Sequence, residues 1–108
     1  MSKEFTGLSG SVQPVCTGNT TASVPTGAAN TVVTAGPGWL RRALVTTAGS
    51  GAGDVLVYDN ATTNSGIVIG IIPATVAIGT QFTFEMPAAN GIVVVNVASG
   101  PVLTVSYD

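Results

Sequence analysis

Short runs rich in Val, Ile, Thr, Phe and Tyr recur along this chain, each closed by a cluster of Gly, Pro, Asn or Ser. No other feature constrains the fold as much. β-Branched and aromatic side chains suit a pleated, half-buried surface, and β-branching restricts χ1 in helices. Strands are expected over residues 12–16, 31–35, 39–47, 54–59, 66–72, 92–98 and 102–107, with 76–78 continuing weakly into 80–86. The stops between them are plain, as in Ala35-Gly36-Pro37-Gly38 and Pro87-Ala88-Ala89-Asn90-Gly91, where Asn90-Gly91 is expected to supply the positive φ of a tight turn. About eight short antiparallel strands with short loops and no helix predict an all-β sandwich. Eight strands favour a jelly-roll-like arrangement, and seven would favour an immunoglobulin-like one. The sandwich is expected as a single domain over 12–108. An arm over 1–11 precedes it, spaced by Gly and Ser, with Phe5 and Leu8 as candidate anchors onto a neighbour.

Two kinds of strand pattern are present. Gln81-Phe82-Thr83-Phe84-Glu85-Met86 alternates and puts Phe82, Phe84 and Met86 on one face; Leu103, Val105 and Tyr107 likewise share a face. Ile67-Val68-Ile69-Gly70-Ile71-Ile72 and Ile92-Val93-Val94-Val95 are apolar at every position but glycine. Strands apolar on both faces are covered on both, and a two-layer sandwich covers only one. Ile67, Ile69, Ile71, Ile92 and Val94 are therefore the candidate contacts with another subunit.

Charge points the same way. The chain carries three Lys or Arg, five Asp or Glu and no His among 108 residues, for a formal net charge of −2. Soluble domains carry charges at about a quarter of their positions, so this surface is poorly defended against association. Three basic residues fall short of the basic stripe that nucleic-acid backbones require. The apolar stretch over 66–79 is too short to span a bilayer and is interrupted by Pro73. Neither a nucleic acid nor a membrane is expected as a partner.

Chemistry finds little to work with. Without histidine the commonest general base and metal ligand is missing. Cys16 has no histidine to activate it and reads as a small hydrophobe. Nothing in the spacing of Asp54, Asp59 and Glu85 makes them an acid pair. Asp59, Asn60 and Asn64 offer oxygen ligands without the regular spacing of calcium loops. No catalytic residue, metal or cofactor is expected, and the chain is read as a non-enzyme.

Arg41 and Arg42 sit inside the run Trp39-Leu40-Arg41-Arg42-Ala43-Leu44-Val45, where strand periodicity sends them to opposite faces. The economical reading is that the inward one snorkels out at the end of the sandwich. The functional reading is an intersubunit ion pair with Glu85, Asp54 or Asp59. Trp39, Arg41 and Arg42 join the interface candidates on that ground.

The segments Trp39-Leu40-Arg41-Arg42-Ala43, Asp54-Val55-Leu56-Val57-Tyr58-Asp59-Asn60, Gly66-Ile67-Val68-Ile69-Gly70 and Met86-Pro87-Ala88-Ala89-Asn90-Gly91-Ile92 resemble those of small tailed-bacteriophage virion proteins. The resemblance spans roughly residues 39–107 and is one of style more than of a diagnostic motif. It implies a capsid decoration, or cement, protein made in the host cytoplasm and located on the capsid surface. Such a protein would assemble as a homotrimer, bind the major capsid protein, and carry no catalytic residues. The alternative is a tail-fibre or spike-associated module that binds a receptor or carbohydrate through an exposed aromatic, for which Trp39, Tyr58 and Tyr107 are the candidates.

Overall fold

The structure is a computed structural model and describes residues 20–50 and 53–108. Phe5 and Leu8, the arm over 1–11, the strand expected over 12–16 and Cys16 lie outside the described residues. Eight strands are present: β1 (Thr20–Val24), β2 (Thr31–Thr34), β3 (Gly38–Thr47), β4 (Asp54–Asp59), β5 (Ile67–Pro73), β6 (Gln81–Ala88), β7 (Ile92–Val95) and β8 (Val102–Tyr107). All pairings are antiparallel, and they form two four-stranded sheets of order β1-β8-β3-β6 and β2-β7-β4-β5. Among these strands only β4 and β5 are consecutive within one sheet; every other connection crosses to the opposite sheet.

One core joins the two sheets in a sandwich-like arrangement. Val24, Leu40, Ala43, Val45, Leu103 and Val105 enter it from the first sheet, and Val33, Val55, Val57, Ile69, Ile72, Ile92 and Val94 from the second. Phe82 and Phe84 of β6 pack against it with their rings stacked at a centroid separation of 6.3 Å. Gly70 of β5 makes room for them, since a Cβ there would stand 3.1 Å from the Phe84 ring and 3.2 Å from Leu40. The expected face of Leu103, Val105 and Tyr107 is the core face of β8.

Four local expectations are corrected. Residues 20–24, which belong to none of the expected strands, form β1; their small and polar side chains conceal a strand whose partner is β8. Residues 76–78 lie outside any strand. β7 ends at Val95, because buried Asn96 turns the chain: its Nδ2 donates to the carbonyls of Pro25 and Pro101 at 2.9 and 2.7 Å. Neither Asn90 nor Gly91 has a positive φ. The chain between β6 and β7 crosses between sheets instead of folding back as a hairpin, so the mirror-image turn is not needed.

Candidate functional site

Cross-strand rows identify what each sheet turns away from the core. In the first sheet one outer row runs Thr21, Ser106, Arg42, Thr83 and the next runs Ser23, Thr104, Leu44, Gln81. Seven of these eight side chains are polar or charged, as a solvated sheet face requires. In the second sheet the corresponding rows are Val32, Val93, Tyr58, Val68 and then Val95, Leu56, Ile71. No charged residue and no amide stands among them. Val32 is 46 %, Val68 40 % and Ile71 53 % exposed. Asp54, paired with Pro73, flanks this apolar surface at one end.

The candidate contacts divide accordingly. Ile71 lies on this outer face, and Ile67 is exposed at the end of β5. Ile69, Ile92 and Val94 belong to the core, where no partner reaches them. A bulge between Val57 and Tyr58 in the β4–β5 pairing places Ile69 outside strict alternation, so Ile69 and Ile71 face opposite ways. Leu56, Tyr58 and Val95, each half-buried, complete the surface and are not among the candidates, whereas Val93 in the same row is fully buried. The same test of apolarity on both faces, applied to Val55-Leu56-Val57-Tyr58, finds two of them.

The other concentration of side chains lies at one end of the sandwich, around Trp39 and Arg41. Leu40, Ala43 and Val45 are all buried, which alternation cannot achieve without one extra residue. Arg41 is that residue. It is bulged between Leu40 and Arg42 against β8, and the β3–β6 register shifts at the same point. Arg41 and Arg42 therefore both lie outside the core, which corrects the expectation of opposite faces.

Arg41 forms a hub within its own chain. Its Nη1 donates to Glu85 Oε1 at 2.6 Å, its Nε to Asp108 Oδ1 at 3.0 Å and its Nη2 to Asp108 Oδ2 at 3.4 Å. Its guanidinium carbon stands 4.8 Å from the centroid of the Trp39 ring. The hydrogen bond that Arg41 donates to Asp108 raises its already high pKa, with burial acting against it and Glu85 adding to the rise. Asp108 reaches this place because its backbone extends the β3–β8 ladder: Trp39 N–H donates to Asp108 O at 2.8 Å, and Asp108 N–H to Trp39 O at 3.2 Å. Gly38 permits that approach, since a Cβ at that position would collide with the Asp108 carbonyl. Glu85 pairs with Arg41 inside the protomer, where the functional reading had placed an intersubunit pair.

Asp59, at the end of β4, closes the site from the opposite sheet. Its Oδ1 accepts from Asn90 N–H at 2.8 Å and Gly91 N–H at 3.4 Å, and its Oδ2 from Ala89 N–H at 3.2 Å. The Asn90 amide holds the carboxyl below its ordinary value of 3.8; burial opposes this, and the amides of Ala89 and Gly91 reinforce it. Asn60 Oδ1 accepts from the amides of Thr62 and Thr63 at 2.9 and 3.0 Å, shaping the following loop. These oxygens answer backbone donors, as turn-forming Asp and Asn do. No group of three or more potential metal-ligating residues occurs among the described residues.

Between these elements lies an open groove of about 730 Å³ lined by Trp39, Arg41, Asp59, Asp108, Pro37, Pro87 and their neighbours. Trp39 is 42 % exposed there, whereas Tyr58 and Tyr107 are half-buried. The lining comes from four separate stretches of chain, so no local motif announces it. Comparison with family models, with curated proteins and with solved structures finds no match to this chain.

Proposed function

We propose that this protein is a non-enzymatic structural component of a bacteriophage virion, a decoration protein that self-associates and reinforces the capsid by bridging major capsid subunits. One observation carries the reading: the two sheets differ in what they turn outward, polar on β1-β8-β3-β6 and apolar on β2-β7-β4-β5. The apolar face has the composition of a surface covered by protein. Its occupant is a second copy of this chain, because two such faces meet without opposing charges. The trimer is the assembly that the resemblance implies.

A jelly roll is the finer form of the fold proposed here. The orders β1-β8-β3-β6 and β2-β7-β4-β5, with nearly every connection crossing between sheets, support it, and this architecture recurs in viral capsid domains. A non-catalytic role is supported by the lack of histidine and by the carboxylates of Asp59, Glu85 and Asp108, all engaged by backbone amides or Arg41.

Reinforcement follows from mass action. A protein that binds only the assembled shell stabilises it, and many weakly held copies add up. Apolar burial supplies about 25 cal/mol per Å², offset in part by the entropy of association. Particles with and without the bound protein, heated in parallel, test the reading. Decorated heads should retain their genome at temperatures that empty bare ones. Equal survival with the protein demonstrably bound to heads rejects cementing.

A further inference from the structure

We infer that the groove beside Trp39 is a binding site for an uncharged saccharide, one sugar unit of a glycan lying with its carbon–hydrogen face on the indole. This goes beyond the association reading and does not depend on it, since no residue lining the groove belongs to the apolar rows of the second sheet. Three features of the groove select the ligand. The first is the indole itself, a large rigid apolar ring with the Arg41 guanidinium over one face and still 42 % exposed, in a groove whose other walls include Pro37, Pro87 and Ala89. An exposed aromatic plane of that kind gains by covering its apolar area.

The second is the mixture of charge. The guanidinium of Arg41 already stands 4.8 Å from the indole centroid, so a cation stacking on Trp39 meets a like charge. An anion entering the groove meets the carboxylates of Asp59 and Asp108. A purely apolar ligand would strip water from all three groups and return nothing to them. A polyhydroxylated neutral molecule avoids each penalty. Its hydroxyls donate to carboxylate oxygens and accept from a guanidinium, and hydrogen bonds to charged groups are the stronger kind. Arg41 carries five N–H donors, and its bonds to Glu85 and Asp108 engage three of them.

The third is preorganisation. Arg41 is held by two carboxylates and Asp59 by three backbone amides, so a ligand finds its polar partners in place. Little ordering cost is left for binding to meet. The open outer side of the groove suits an internal unit of a glycan, with the chain continuing in both directions.

Trp39 is the sole tryptophan of the sequence, so the native protein reports on its own groove. The full chain is titrated with methyl glycosides of glucose, galactose, mannose and N-acetylglucosamine and with their trisaccharides, while tryptophan emission is followed. At least one neutral sugar should produce a saturable change, and tetramethylammonium chloride and sodium acetate at matched concentration should produce none. Saturation-transfer NMR on that sugar should show Trp39→Ala weakening binding by about tenfold or more. Sugars that leave the emission unchanged overturn the proposal, as do salts that change it equally or a Trp39→Ala protein that binds as well as the parent. Should Trp39→Ala fail to fold, the native titration with its two salt controls decides alone.

Discussion

At Asp59 a single carboxylate fastens the end of β4 to the crossing between β6 and β7, thirty residues further along the chain, through the amides of Ala89, Asn90 and Gly91. The sequence marks Asp59 as a residue that closes a strand; it contains no local trace of the partner it closes onto, because that partner is brought by the sheets. Since its folded pKa lies below 3.8, the charged form contributes stability that is complete above that value and is lost as pH falls through the lower folded pKa. Asp59→Asn should therefore lower stability to urea at neutral pH, and the gap to the parent should close on acidification below the ordinary carboxylate range. A gap that stays constant through and below that range would show that shape, not charge, holds the turn. Arg41 illustrates the opposite limit of legibility. Both of its carboxylate partners are visible as residues, but the inserted position that turns Arg41 out of the core is a property of register, which the spacing of side chains does not encode.

Among the strands, β4 and β8 fall at the residues expected from sequence, 54–59 and 102–107, because turn residues bracket them closely. β1 escaped because four of its five residues are Thr, Ala or Ser, and its identity comes from β8 beside it. The bulge of β6 beside Arg41 was also invisible, and it has an energetic signature. Glu85 has a φ of 51°, in the left-handed region that costs a non-glycine residue roughly 1 kcal/mol. Alanine is normally no worse than glycine in a strand, where glycine loses more chain entropy. At this position the order should invert: Glu85→Gly is expected to be more stable than Glu85→Ala by about 1 kcal/mol in chemical unfolding, the backbone difference alone. Both variants lose the Arg41 contact, so the comparison isolates the φ angle. Alanine equal to or better than glycine would mean that the bulge relaxes when the carboxylate is removed.

For the molecule as a whole, the two sheets make opposite demands on their surroundings. Runs that are apolar on both faces raise the expectation of a cover beyond the sandwich without marking which alternate positions need one; bulges and phase decide that, and they put Ile92 and Val94 inside. Val68 and Ile71 are 40 % and 53 % exposed on the outer face of β5, an edge strand of the second sheet, so charging them disturbs the protomer little. It disturbs an assembly greatly, because a charge buried at an interface without a partner is costly. The parent protein should sediment as an oligomer at micromolar concentration, and Val68→Lys with Ile71→Lys should weaken that association by about a hundredfold or more. The circular dichroism and unfolding midpoint of the isolated protomer should change little. Thr21→Lys with Thr83→Lys, on the polar outer face of the other sheet, adds the same charge and should leave the oligomer intact. Dissociation by both pairs would point to net charge as the cause. Dissociation by neither would move the contact away from the β2-β7-β4-β5 face. Only loss confined to the first pair assigns the interface to that sheet; the least defended surface of a chain with so few charges is then the one covered by its own copies.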